Sequence, residues 1–542
     1  MFVTSSDHHH IRPVPVPHHC CQESDIRTML PSVSGDAVRN KSLCVCNLGL
    51  LVTCNPAVAE ENERQNRVKD EQAVKIEACA KADQPAIKDP LGRIQGPACL
   101  FFDEAGNLTY AGSEESCPFE FDKEADVLLD GSNLIALPGL VDCHTHAVWA
   151  GSRSAEFAER LRGVPYIDIQ LRGGGINSTT RATREASLTD LYEAARKRVD
   201  CLLHTSGATT VEIKSGYGLS VDSEFKMLQV ADKIKSHSAA THTGPRVVKT
   251  FLGAHLIPPE FKDLREQYVR QVISEQIPKC APIADHCDVF VDKGAFTLEE
   301  GRRILEAGQH AGLKVKAHAE QIEHTGCAKL VAELNGLSAD HLERLDEDAA
   351  EWMGKRKTVA TLLPGAQWYL RDISPPVDLL RKHSVTMAVS TDLNPGSSPV
   401  YDLMQCATMS CVMQGLTPEE AILGITRNAG MALGDSRLGH LTATKQGDTS
   451  GEDSLPTSVA DVAFFRPPPG EGCTIESLIQ FSGGYKCVGA IRDGKFLFRD
   501  TTSGDLRSLD QGNSYSMQSQ NINTSPSLAD DQRATAFSNS KM

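Results

Sequence analysis

Eight short apolar segments recur through the middle of the chain, and they limit what it can fold into more than any other feature. They are GLVDCHTH (139–146), TTVEIKSGYG (209–218), VVKTFLGAH (247–255), DVFVDKG (288–294), KVKAHAE (314–320), LSADHL (337–342), TVATLLPG (358–365) and TMAVSTDL (386–393). Most of the intervals between them hold a helical pattern. LTDLYEAARKRVDCLLHTS places Leu188, Leu191, Tyr192, Ala195, Val199 and Leu202 on one helical face. Three helix starts carry a capping signature, Ser187–Asp190, Thr297–Glu300 and Thr417–Glu420, the last with Pro418 at the first helical position. Eight strands alternating with helices predict an α/β chain whose centre is a (β/α)8 barrel of the TIM type. A doubly wound open sheet is the competing architecture. It would gather its ligand at one switch point rather than spread polar residues over many strand ends.

Polar residues are spread in that way. The predicted strand ends carry His144 and His146, then Tyr217, His255, His318, His341 and Asp392. In such a barrel the chemistry lies at the C-terminal ends of the strands. One strand-end histidine is ordinarily a structural residue, but that explanation would have to hold independently at several ends. His144 and His146 are two residues apart, so in an extended chain both imidazoles leave the same face. Zinc accepts imidazole nitrogen and carboxylate oxygen, and a catalytic site keeps a position for water, whose pKa falls towards 7. His144, His146, His318 and Asp392 are the expected ligands. Asp392 would also take the proton of the water, His341 would orient it, and His255 would polarise the scissile group or hold the developing anion.

The net charge of −16 argues against a nucleic-acid partner, and no apolar run is long enough to span a membrane. The partner expected is a small molecule. The seventeen cysteines form no paired CxxC array, and no secretory signal is recognisable, so reduced thiols and a cytoplasmic setting are expected.

The centre of the chain resembles the amidohydrolase superfamily in its His-x-His after the first strand, its histidines on the fifth and sixth, and its aspartate on the eighth. In detail it is similar to the imidazolonepropionase family, through GSRSAEFAERLRG, LRGGGINSTTRATREAS, EIKSGYGL, TFLGAHLIPPEF, AHAEQ, SADHLE and STDLNPGSSP, over about 300 residues. That resemblance implies hydrolysis of 4-imidazolone-5-propanoate to N-formimidoyl-L-glutamate with one zinc or iron ion per chain. It implies His144, His146, His318 and Asp392 as metal ligands, and a pocket lined by Arg153, Tyr217, His255, Gln321, Asn394, Gly396 and Ser397. A homodimer is also expected.

Several of these residues carry a second reading. Arg153 follows His146 closely enough to meet a propionate tail, yet single arginines are usually solvated. Tyr217 is equally a turn tyrosine on the barrel rim. Asn394, Gly396 and Ser397 are equally an Asx turn after the eighth strand. The glycines 173–175 lack phosphate-loop spacing and suggest a flexible lid or a close-contact loop. Lys293 is expected to be an ordinary surface lysine rather than a carboxylated metal bridge. Gln321 stands where deaminases of the superfamily carry Glu, and an amide has no titratable proton. This counts against a deaminase and leaves the general acid open between His341 and His255. A different cyclic amidohydrolase and a non-catalytic scaffold are the rival readings.

Outside the barrel, expected over 137–436, residues 41–136 and 437–500 are expected to pair into a small β-sandwich. Residues 1–40 read as a disordered leader, 57–96 as a charged insertion, 447–458 as a polar one and 501–542 as a disordered tail.

Overall fold

The computed structural model describes residues 41–59, 89–164, 168, 172–444, 455–502 and 504–509. The leader expected over 1–40, most of the two insertions and the tail from 510 onward lie outside the described residues.

Five strands precede the barrel: β1 (Leu43–Val52), β2 (Arg93–Phe102), β3 (Leu108–Ser113), β4 (Val127–Asp130) and β5 (Ile135–Pro138). The barrel strands are β6 (Leu140–Asp142), β7 (Ala208–Lys214), β8 (Arg246–Ala254), β9 (His286–Val291), β10 (Lys314–Ala319), β11 (Ser338–His341), β12 (Val359–Leu362) and β13 (Met387–Val389). All eight pair in parallel with their sequence neighbours. They coincide with the eight apolar segments, so the barrel reading holds. After it come β14 (Val462–Arg466), β15 (Lys486–Arg492), β16 (Lys495–Arg499) and β17 (Arg507–Ser508).

The segments that leave the first and last strands of the barrel meet at its upper rim. The Asp392 N–H donates to the His144 carbonyl at 3.0 Å, and the His146 N–H donates to the Leu393 carbonyl at 2.9 Å. Asp142 strengthens this seam, accepting from the Thr391 hydroxyl at 2.7 Å, the Thr391 N–H at 3.2 Å and the Ser390 hydroxyl. These contacts bring His144 and His146 against Asp392 although the chain separates them by almost the whole barrel.

The segments on either side of the barrel build one nine-stranded mixed sheet, ordered β16-β15-β14-β5-β1-β2-β3, with β4 beside β1 and β17 beside β4. Two boundaries differ from expectation. The charged insertion ends before 93, because Arg93 and Ile94 are ladder partners of Val52 and Leu51. The tail starts later than 501, because Leu506 is fully buried and Arg507 and Ser508 pair with β4. In each case a short apolar or alternating stretch inside a polar region finds a strand edge that composition does not reveal.

The helix Leu188–Ser206 buries Leu191, Tyr192, Ala195, Val199 and Leu202, the face its spacing predicts. All three expected helix starts are capped by their Ser or Thr side chain. Thr297 and Thr417 each form a reciprocal capping box. We expect Thr297→Ala to lower unfolding free energy by about 1 kcal/mol, measured by urea denaturation. An unchanged midpoint would show that the cap adds nothing.

Among the described residues no disulfide forms, and no helix is long and apolar enough to cross a membrane.

Candidate active site

The expected ligands converge, buried, at the barrel's upper rim. His144, His146, His318, His341 and Asp392 are each at most 3 % exposed. The Nε2 atoms of His146 and His318 are 3.4 Å apart, and Asp392 Oδ1 is 3.5 Å from His144 Nε2 and 3.6 Å from His146 Nε2. Two ligand atoms on one tetrahedral ion at about 2.0–2.1 Å stand roughly 3.3 Å apart. The observed spacings are close to that value. His144 Nε2 is buried without a hydrogen-bond partner, a costly state for an imidazole nitrogen unless something electrophilic lies against it. The donor set thus fits a metal ion. His341 also stands within ligand distance of His144 and His318.

The far sides of two rings fix their orientation. His144 Nδ1 donates to Asp340 Oδ2 at 2.7 Å, and His318 Nδ1 donates to Asp288 Oδ1 at 3.2 Å. Each Nε2 therefore presents a lone pair to the shared space. Burial, helped by nearby lysine or histidine charge, holds His144 and His146 well below the usual imidazole range, and burial lowers His318 too. Neutral imidazole is the metal-binding form. Burial pushes Asp392 up to about 7 despite the opposing influence of His341, and a cation among the rings would pull it back down. His341 behaves differently. Burial opposes its charge, but Glu343, whose Oε1 is 3.8 Å from Nδ1, holds it above the ordinary value.

Backbone strain gathers here. Glu320, His341, Leu342 and Asp392 all have positive φ, at 59°, 84°, 73° and 51°. Bulky residues occupy that region only where surrounding structure enforces it.

The pocket wall is built by residues that sequence patterns did not single out. Glu224, fully buried at the first turn of the helix Val221–Thr241, accepts from the N–H groups of Gly216, Gly218 and Leu219 at 2.7–3.0 Å. It folds the SGYG loop so that Tyr217 lies 5.7 Å from the His146 ring and 5.5 Å from the His255 ring. His255 Nδ1 donates to the Gly216 carbonyl at 2.9 Å, leaving Nε2 as an acceptor. Burial, then the neighbouring His318, lowers His255 to about 3. Arg198 donates to the carbonyls of Ala147 and Trp149 and lies over the Trp149 ring, bracing the loop that leads from His146 to Arg153.

Arg153 is 9 % exposed and is not a solvated surface residue; its Nε donates to Glu156 at 2.8 Å. Its guanidinium packs on Gly396, where a Cβ would overlap it. Asn394 makes an Asx turn. Its Oδ1 accepts from the N–H groups of Gly396 and Ser397, and its Nδ2 donates to the Asp392 carbonyl and the Ser397 hydroxyl. That side chain is spent on shaping the loop. Gln321 is half-buried, with its backbone N–H held by Asp292 and its carbonyl by Arg344. Lys293 is exposed and paired with Glu323, as a surface lysine should be. Gly175 starts the helix Ile176–Glu185, and its N–H donates to Glu156.

No protein-family model matches the chain. The chain is 45 % identical over 368 residues to the imidazolonepropionase of Shewanella woodyi, covering 67 % of this chain and 88 % of that protein.

The chain belongs to the imidazolonepropionase family.

The imidazolonepropionases of Aliivibrio salmonicida and Hahella chejuensis are 45 % and 47 % identical over 347 and 327 residues. These matches cover 63 % and 59 % of this chain, and 83 % and 80 % of those proteins. Among solved structures, an amidohydrolase from a Sargasso Sea environmental sample superposes with a TM-score of 0.54 at 16 % identity, over 85 % of this chain and 93 % of that one. A Xaa-Pro dipeptidase gives 0.54 at 14 % identity, over 84 % and 99 %. At such identities these neighbours speak for the fold alone. This imidazolonepropionase-family member therefore shares its barrel fold with those structures and carries a metal-compatible cluster at the expected strand ends.

Proposed function

We propose that the protein hydrolyses 4-imidazolone-5-propanoate to N-formimidoyl-L-glutamate with one zinc or iron ion held by His144, His146, His318 and Asp392. The observation that carries this reading is the convergence of Nε2 and Oδ1 atoms from the two ends of the barrel and its centre at 3.4–3.6 Å. An ion bound there supplies Lewis acidity and a nucleophilic water at neutral pH.

The chain's own groups supply the rest. Water adds to the ring carbonyl carbon, the bond from that carbon to the ring nitrogen breaks, and the nitrogen leaves with the proton given up by that water. Asp392 lies against His144 and His146 and accepts the proton of the attacking water. His255, its one N–H spent on the Gly216 carbonyl, has none left for the developing anion, contrary to the sequence expectation. His341, kept basic by Glu343, therefore steadies the charge that gathers on the carbonyl oxygen instead of orienting the water. His255 presents a fixed Nε2 to the substrate. Arg153, nearly buried and braced by Glu156 and Gly396, meets the propionate carboxylate. Tyr217 and Gln321 line the remaining wall. Asn394 and Ser397 hold the Gly396 turn in place.

The test is turnover of freshly generated imidazolonepropionate by metal-loaded protein. Ring opening supports the reading. Full metal occupancy without ring opening overturns it and directs attention to other cyclic amides. Within this reading, Arg153→Met should lower kcat/KM by about a hundredfold, the cost of leaving a carboxylate without its charged partner. Steady-state kinetics with intact metal content check this, and an unchanged kcat/KM would remove Arg153 from the pocket.

A further inference from the structure

Beneath the histidines the barrel interior holds three carboxylates and two ammonium groups, Glu212, Asp288, Asp340, Lys214 and Lys316, all fully buried. A charge in such a place is tolerated only when paired. Lys214 makes an unusual set of contacts. Its Nζ is 2.7 Å from Asp288 Oδ2, 3.1 Å from Glu212 Oε2 and 3.7 Å from Asp340 Oδ2. Asp288 and Asp340 are the two carboxylates that accept from His318 Nδ1 and His144 Nδ1. One ammonium group thus underlies two rings of the cluster, although they stand on different strands.

We propose that Lys214 is a positioning residue for the metal site, clamping Asp288 and Asp340 so that His318 and His144 keep Nδ1 protonated and aim both Nε2 lone pairs at one point. This rests on the reading of the cluster as a metal site. Partners of this kind orient metal ligands and set their tautomer. Here the two partners are like-charged and both fully buried, so without Lys214 they repel and lose a common anchor. Burial works against the lysine's charge, yet Asp288, Glu212 and Asp340 outweigh it and keep Nζ protonated. Lys316 differs. It donates to Glu212 at 3.0 Å and to the Cys143 carbonyl at 2.9 Å, stands 3.9 Å from Asp340, and has no contact with Asp288. It is therefore the internal comparison, an equal buried charge that does not bridge both clamps.

The experiment measures zinc affinity of the full chain by competition with a chromophoric chelator for wild type, Lys214→Met and Lys316→Met. Ring 15N spectra of the metal-free proteins report the histidine tautomers. Lys214→Met should bind zinc about 10–100-fold more weakly and should show mixed tautomers at His144 and His318. Lys316→Met should lose less affinity and keep the Nδ1–H form. Lys214→Gln, which retains a donor, replaces Lys214→Met if the latter does not fold. Wild-type affinity and unchanged ring signals in either Lys214 variant would overturn the proposal. Equal losses in Lys214→Met and Lys316→Met would also overturn it, because the effect would then be buried charge in general. If His318→Ala binds zinc as tightly as wild type, the metal-site reading itself fails and this inference falls with it.

Discussion

His318→Ala is expected to lose its metal and its turnover together. His318 Nε2 lies 3.4 Å from His146 Nε2, near the centre of the donor set, and its other nitrogen is held by Asp288. Alanine removes one donor and leaves Asp288 with Lys214 but without its imidazole. A metal ion contributes several kcal/mol of charge stabilisation to such a reaction, so its loss corresponds to roughly a thousandfold or more in kcat/KM. The protein should still fold, because the substitution lies at the end of β10 and leaves the ladder to β9 and β11 intact. Metal analysis by plasma emission, circular dichroism and ring-opening kinetics on the same preparation decide the matter. A folded variant that keeps both metal and activity would exclude His318 as a ligand.

Asp392→Asn separates proton transfer from metal retention. The amide keeps the volume and one oxygen donor but cannot accept a proton from water. General base catalysis contributes about 10²–10⁴-fold, so kcat should fall within that range while three histidines still hold most of the metal. The substituted residue would occupy the same positive-φ backbone, at 51°, which Asn tolerates better than most residues. The fold should therefore survive. A variant with near-normal kcat would move the base elsewhere, and His341 with its Glu343 partner would be next to test. A variant with neither metal nor activity would make Asp392 a ligand above all.

The barrel and the atoms that converge in it were readable from the chain because each rests on a local pattern. The eight strands show as short apolar runs, and the His144/His146 pair shows through the two-residue period of a strand. Strand-end placement then gathers His255, His318, His341 and Asp392 without any knowledge of long-range contacts. What escaped was the layer beneath. Glu212, Lys214, Asp288, Lys316 and Asp340 read as polar interruptions of apolar strands, and nothing local says which carboxylate meets which cation. The His144–Asp340 bond joins residues 196 apart in sequence. A partial signal was present, since Glu212 with Lys214 and Lys316 with His318 share a strand face. Charges at alternate positions of a strand buried on both sides point into the barrel. Glu224 gave no such hint, because a carboxylate in the first turn of a helix looks like ordinary end stabilisation. Asn394 and Ser397 fit their alternative reading as turn residues, which loop composition alone left open.

The strand order of the mixed sheet has a consequence for how the protein is made. Strand β14 lies between β5 and β15, with Val462 opposite Pro138. As the chain leaves the ribosome, β5 is complete before any barrel strand, yet its partner on one side is synthesised only after the whole barrel. Throughout that interval the nascent protein carries an open hydrogen-bonding edge, the kind of surface on which chains pair wrongly with each other. Pairings so distant in sequence are slow to form. Synthesis of β14, after the whole barrel, therefore closes that edge, and a ribosome that stops short of β14 releases a chain with its barrel strands made and that edge exposed.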